Sequence, residues 1–251
     1  MSSICFCIPA RFESTRLNKK LLLKFNNESC INLTIKNVMK SEYFNSNNIY
    51  VFTDSSEIIK EIKNSNVNIV LTNEKYKNGS ERISQNLNYL KHNYDYIVNI
   101  QADEPFISSK NIDHAIKNHL LDNKNIFYTT LHEENNSKEY LESSASLKLV
   151  TDSSNNVLYY SRNIIPWNKN NIINEEYTYK TFTGIYIFNY DKIKLYSNMN
   201  NTDLQNEEDC EQLKILENGF KIKSYKTVEF NEISLNTLED YKYLYEKYKN
   251  V

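Results

Sequence analysis

Glycine and proline are nearly absent from this chain, with three of each in 251 residues. Backbone punctuation therefore survives at few places, and those places mark forced geometry. Glycine-rich phosphate cradles go with them. There is no GxxxxGK[ST] and no GxGxxG, which argues against a P-loop ATPase and against a dinucleotide dehydrogenase. No serine–histidine–aspartate arrangement falls on recognisable elements. Cysteine is scarce too. Cys5, Cys7, Cys30 and Cys210 form no CxxC pair and read as buried free thiols of a reducing compartment, with Cys5 and Cys7 on one strand face. His92, His114, His119 and His132 lie at no zinc-ligand spacing and read as surface or helix residues. No apolar run approaches the roughly 18 residues a membrane span needs, and Met1 leads directly into a strand, so the expected location is cytoplasmic and off the membrane. Neither sign of charge dominates. A formal net charge of −2 argues against a nucleic-acid partner held by bulk charge.

What remains is enough for a packed core. Hydrophobic residues make up 40% of the chain, which argues against a disordered chain. The length suits one large domain spanning 1–251. Strand and helix signals alternate through the first half. Strands are predicted at 4–8, 48–53, 67–71, 94–101 and 126–131. Helices are predicted at 30–44, 55–64, 80–90 and 109–121. Such alternation implies a mostly parallel sheet with helices on both faces. After residue 143 the pattern changes. A hairpin-like pair at 145–151 and 157–160 precedes one long strand at 178–190, so an antiparallel excursion is expected over about 145–190. A helix at 207–218 stopped by Gly219, a strand at 220–230 and a helix at 237–249 complete the reading.

Two segments carry chemistry. The apolar run from Ile4 breaks at Pro9 into a polar loop with Arg11, Ser14, Thr15, Arg16, Lys19 and Lys20. Cations and hydroxyls following the first strand suit phosphates, and such sites lie outside the carboxyl ends of strands in open α/β sheets. Asp103 and Glu104 follow the strand YDYIVNIQ. A carboxylate pair there, facing the cationic loop, suits a divalent cation held against a polyphosphate. NGSERIS, residues 78–84, reads as a turn into a helix with Ser80 as a candidate cap.

Taken in order, IPARFESTRL, NGSERIS, NIQADEPFI, LKLV at 147–150, YYSRNIIPW at 159–167, GIY at 184–186 and EQLK at 211–214 resemble the CMP-Kdo synthetase family of sugar-acid cytidylyltransferases. The resemblance runs over nearly the whole chain. It implies a Rossmann-like nucleotide-diphospho-sugar transferase fold, with a mostly parallel central sheet and an antiparallel insertion. It implies an enzyme that joins CMP from CTP to a 2-keto-3-deoxy sugar acid such as Kdo, with Mg2+ as cofactor, as a homodimer. By position, Ala10, Arg11, Ser14, Thr15, Arg16, Lys20, Ser80, Arg82 and Gln101 would meet the nucleotide. Arg11, Lys20 and Asp103 would be catalytic. Gln101, Arg162, Tyr186, Glu211 and Gln212 would meet the sugar. Asp103 and Asn236 would meet the metal.

Four departures from the family's pattern bear on this. Its Leu-Pro-Gly-Lys is Leu17-Asn18-Lys19-Lys20 here. The glycine of its QGDEP block is Ala102. The histidine two residues before its Gly-Ile-Tyr is Phe182, which bears on the choice of sugar. Its late aspartate is Asn236, which also reads as a helix cap with Glu239 three residues on. Another sugar acid, an amino-Kdo analogue or a nonulosonate, or a weakened nucleotide- or sugar-binding homologue, stays open on these grounds.

Overall fold

The computed structural model describes residues 3–14, 16–73, 76–122, 124–170 and 172–249. Seven consecutive buried residues form β1 (Ile4–Ala10), near the centre of the main sheet. It is flanked in parallel by β4 (Ile49–Thr53) and β6 (Tyr96–Ile100), and β5 (Asn68–Leu71) lies outside β4. Near-continuous apolar strands suit a sheet covered on both faces. Beyond β6 come β11 (Ile185–Asn189), β7 (Ile126–Asn135), β10 (Tyr179–Phe182), β8 (Lys148–Thr151) and β9 (Val157–Ser161). A tenth strand, β12 (Lys221–Lys226), runs parallel to β7. Seven of these ten strands share one direction, and β9, β10 and β11 run against it. The sheet is thus mixed with mostly parallel strands, and its reversed strands fall within the excursion the sequence predicts. A hairpin of β2 (Lys24–Phe25) and β3 (Glu28–Ser29) stands apart.

The helices are α1 (Cys30–Val38), α2 (Ser56–Ile62), α3 (Gly79–Ser84), α4 (Ser109–Leu121), α5 (Lys138–Glu142), α6 (Tyr190–Tyr196), α7 (Asp203–Glu207), α8 (Glu211–Glu217) and α9 (Leu238–Tyr248). Side-chain alternation in β1 feeds two cores. Phe6 and Ile8 pack with Ile31, Ile35, Ile58 and Ile112 on one face. Cys5 and Cys7 pack with Ile83, Phe188 and Leu213 on the other, their sulfurs 3.7 Å apart. All four cysteines are free and buried. Among the described residues no helix is long and apolar enough to cross a membrane.

Several expectations need correction. The first strand runs through Pro9 to Ala10. Its ladder with β6 ends at Cys7, so Pro9 sits where one edge is already open and its missing N–H costs no bond there. The long strand over 178–190 is two strands. Between Phe182, opposite His132, and Ile187, opposite Thr129, the register on β7 shifts by two residues. The helix over 30–44 ends at Val38, and 80–90 is α3 plus a separate turn at Leu87–Tyr89. The helix over 207–218 is α7 and α8, and the strand over 220–230 ends at Lys226. Gly219 follows α8 at φ 78°, and the N–H groups of Gly219 and Phe220 close on Leu216 and Ile215. His119 lies in α4, as a helix residue, but is buried, whereas His132 is buried in a strand and is neither surface nor helix. His119 joins Thr129 and Asn189, and His132 lies in β7 against Ser224.

Candidate functional site

The carboxyl ends of β1 and β6 open into a cleft of about 940 Å³. Arg11, Arg16 and Lys20 line one wall. Arg11 and Arg16 are exposed, while Lys20 is buried at the cleft floor. The turn that delivers Lys20 is built without a Pro-Gly pair. Lys19 takes the left-handed conformation (φ 51°, ψ 33°), and a single 3-10 turn, Lys20–Leu22, follows. Lys20 Nζ donates to Asp103 Oδ2, with side-chain exposures of 8% and 19%. The cationic loop and the carboxylate after β6 therefore meet as the sequence implies.

Asp54, which sequence reasoning missed, holds this wall to the next. It follows β4 directly. Its Oδ1 accepts from the Phe12 N–H at 3.1 Å and its Oδ2 from Arg82 Nη2 at 2.8 Å. Arg82 also reaches Thr72 and lies over the Tyr76 ring, 5.1 Å from its centroid. A strand-end Asp beside a cationic loop was the available signal. Asn78, not Ser80, caps α3, its Oδ1 accepting from the Glu81 N–H at 2.8 Å. Ser80 is buried, and its hydroxyl accepts from Asn99 Nδ2. Ala10, Ser14 and Ser80 do not line the cleft, and Thr15 lies outside the described residues.

Gln101 sits on the floor, its N–H on the Gly184 carbonyl at 3.0 Å and its Nε2 on Asn99 Oδ1 at 3.1 Å. A Cβ on Gly79 would lie 2.7 Å from Pro9 Cγ and 2.9 Å from Gln101 Nε2, so this contact needs glycine. Two of the three glycines thus serve close approach, since a Cβ on Gly184 would lie 2.5 Å from Glu104 Oε1.

Glu104 departs from the expected carboxylate pair. It is buried, accepts from the Ser234 hydroxyl, and is pushed up to about 8 by burial and then by the Asp103 charge. At neutral pH it is mostly protonated and offers a metal no second negative charge. Asn236 does reach the same place. The Leu235 N–H donates to the Asp103 carbonyl at 2.8 Å, and Asn236 Oδ1 accepts from Arg16 Nη2 at 3.4 Å. Asn236 is not the cap of α9. Thr237 is, in a capping box with Asp240 rather than Glu239. No group of three or more candidate metal-ligating side chains exists among the described residues. One carboxylate and one amide oxygen still fit magnesium, provided phosphate oxygens complete the set.

The other end of the cleft is lined by Arg162, Phe182, Tyr186, Glu211 and Gln212. Tyr186 Oη accepts from Gln212 Nε2 at 2.9 Å, and Glu211 Oε2 accepts from the Ser80 N–H at 3.4 Å. Burial pushes the Glu211 carboxyl up. Arg162 lines the wall, but its guanidinium is occupied by the carbonyls of Ser144, Glu208 and Asp209. Phe182 packs against Tyr160 and Tyr186, with centroids at 6.0 and 5.1 Å, and presents carbon to the cleft.

A family model described as cytidylyltransferase matches residues 5–224. A protein of Arabidopsis thaliana called mitochondrial 3-deoxy-manno-octulosonate cytidylyltransferase is 33% identical over 225 residues, which cover 90% of this chain and 76% of that one. A 3-deoxy-manno-octulosonate cytidylyltransferase of Fusobacterium nucleatum is 34% identical over 220 residues, covering 88% and 86%. Among solved structures, a CMP:2-keto-3-deoxy-manno-octonic acid synthetase complexed with CTP superposes with a TM-score of 0.85 at 22% identity, covering 98% of each chain.

Proposed function

The chain belongs to the cytidylyltransferase family, and from that membership we propose that it joins CMP from CTP to a 2-keto-3-deoxy sugar acid, Kdo foremost, and releases pyrophosphate. One observation carries the reading: Lys20, flanked by Arg11 and Arg16, meets Asp103 on the floor of a cleft large enough for both substrates. The anomeric hydroxyl of the acid attacks the α-phosphorus of CTP, and the β-phosphate oxygen leaves with pyrophosphate. Such a reaction needs positioning and charge stabilisation more than covalent help. Arg11, Arg16 and Lys20 would hold the triphosphate, and Lys20 would exchange Asp103 for a phosphate oxygen as the nucleotide enters. Arg82, fixed by Asp54, would shape the nucleotide end, and Gln101 would lie between the two substrates. Magnesium, held by Asp103 and Asn236, would neutralise phosphate charge. Tyr186, Glu211 and Gln212 would meet the acid.

Two further parts of this reading concern assembly and acceptor. Leu158 and Trp167 are exposed at 60% and 55% in a segment rich in aromatic and apolar residues, which supports a homodimer through that segment. Phe182 supports an acceptor that asks for no polar contact at that point, so related sugar acids belong in the assay. The test is pyrophosphate release from CTP with a panel of keto sugar acids. Release with Kdo and CTP, and not with CTP alone, is expected. Silence with every acid would overturn the reading.

A further inference from the structure

Strand β6 carries one amide among apolar and aromatic residues. Asn99 is fully buried in it, and a buried amide is costly unless its donors and its acceptor are paired. Its partners are Ser80 in α3 and Gln101 just after β6. Asn99 Nδ2 donates to Ser80 Oγ at 3.3 Å, and Asn99 Oδ1 accepts from Gln101 Nε2 at 3.1 Å. Gln101 lines the cleft, whereas Asn99 and Ser80 do not.

This relay runs on to Glu211, the first residue of α8. Glu211 Oε2 accepts from the Ser80 N–H at 3.4 Å, and the hydroxyls of Ser80 and Tyr186 donate to the same carboxyl. Those donors oppose the burial that pushes the carboxyl up. A second relay reaches Glu211 through Tyr186. Cys210 Sγ donates to Gln212 Oε1 at 3.0 Å, and Gln212 Nε2 donates to Tyr186 Oη at 2.9 Å. Burial pushes the Cys210 thiol up to about 12, so it keeps its proton and stays a donor. Both chains of donors therefore end on one carboxyl.

Resting on the function proposed above, we propose that Asn99 and Ser80 are positioning residues, which pass the acceptor character of Glu211 to Gln101 and set the direction of its amide before substrates arrive. A carboxylate only accepts, so the Ser80 hydroxyl donates to Glu211 and must itself accept from Asn99. An amide that turns its amine to Ser80 turns its carbonyl to the neighbour on the other side. Gln101 therefore meets Asn99 with its amine, and its carbonyl oxygen is not spent on Asn99. The two ends of an amide have nearly the same shape, so packing alone would not choose between them. A group turned in advance pays no ordering cost when the substrates bind. Neither Asn99 nor Ser80 touches a substrate, and both act through Gln101.

The experiment compares the parent, Ser80→Ala, Gln101→Met and the double variant. Pyrophosphate release is measured with CTP and Kdo, and thermal midpoints are recorded without substrates. Ser80→Ala leaves the Asn99 amine without its acceptor, and turning over to reach the Gln101 carbonyl restores a bond at the cost of the set direction. Its kcat/KM should fall by roughly 3- to 30-fold, and that of Gln101→Met by at least about 10-fold. In the Gln101→Met background, Ser80→Ala should change kcat/KM by less than about 2-fold. Its thermal loss, roughly 2 to 10 °C, should persist in both backgrounds. Activity and stability then part ways, which a merely structural serine would not produce. If Ser80→Ala does not fold, Asn99→Leu takes its place with the same expectations. Equal losses of kcat/KM in both backgrounds, or a parental kcat/KM in Ser80→Ala, would overturn this inference alone. A parent silent with every keto sugar acid would refute the proposed function, and this inference with it.

Discussion

Lys20→Met tests the centre of the site, because it removes a charge while nearly keeping length and packing. In the empty cleft the ammonium sits on Asp103, both side chains largely out of water. Unit charges in contact at about 3 Å and an effective dielectric near 20 attract by roughly 5 kcal/mol, part of which the ammonium's own desolvation cancels. A net loss of about 2–3 kcal/mol is expected, or roughly 5–10 °C in the thermal midpoint of a chain this size. Turnover should fall by about 10²- to 10³-fold, as for other preorganised charge contacts to a developing anion. A third consequence separates this account from simple damage. With Lys20 gone, Asp103 loses the cation it pairs with among the described residues, and magnesium or manganese should bind the nucleotide-free variant at least about 10-fold more tightly than the parent. Titration calorimetry, or manganese resonance without nucleotide, measures that directly. A variant that melts like the parent and binds metal no better would show that Lys20 does not rest on Asp103, and the reasoning would fail.

Other perturbations follow from the same geometry. Arg11→Ala should cut turnover by about 10²- to 10³-fold while moving the thermal midpoint by about a degree or two, because an exposed side chain supports the fold little; parental turnover would remove this loop from the triphosphate site. Asn236→Asp should lower the magnesium concentration that half-saturates activity, since it places a second negative charge beside Asp103, and an unchanged titration would remove Asn236 from the metal site. Gly79→Ala should reduce kcat/KM by more than about 10-fold, because its Cβ must displace Gln101 or Pro9; kinetics like the parent's would refute that contact. Burial holds both His119 and His132 at about 4, below the usual 6.5. Between those values the unfolded chain binds protons that the folded chain refuses, so stability is full above about pH 6.5 and falls toward pH 4, by up to roughly 3 kcal/mol for each residue. Urea midpoints at pH 7, 5.5 and 4.5 measure the loss, and a flat profile would contradict it.

The sequence was most legible where local rules and burial agree. Helix α4 falls on the predicted 109–121 because Ser108 caps an amphipathic run that nothing interrupts. Arg11, Gln101, Asp103 and Asn236 converge on one cleft because each stands just beyond or before an element, where side chains lean over the sheet edge, and Arg16 and Lys20 follow on the loop after β1 while Arg82 comes from within α3. What the chain hid was set by long-range contact. Nothing local says that Glu104 turns under Gly184 while Asp103 faces the cleft. The distinction comes from Ser234, 130 residues away. Pro9 was misread because its tolerance depends on where β6 stops pairing. The break at Thr183–Gly184 was invisible because the group packed against it, the Glu104 carboxyl, belongs to the turn after β6. Asn236 and Thr237 are both good caps, and the Asp240 carboxylate accepts from both N–H groups; what decides is that the Asp240 N–H donates to the Thr237 hydroxyl.

The bond from the Leu235 N–H to the Asp103 carbonyl, and that from Arg16 to Asn236, close the cleft with residues far apart along the chain. Translation therefore delivers the catalytic centre in instalments. A nascent chain that has passed β6 already carries the cationic loop and Asp103, yet the segment with Leu235 and Asn236 is still more than a hundred residues from being made. During that interval Lys20 is the counter-ion Asp103 has at hand. A protease cut just before Leu235 would free the segment whose Leu235 N–H and Asn236 side chain meet Asp103 and Arg16, and leave the pair of Lys20 and Asp103 without that strap.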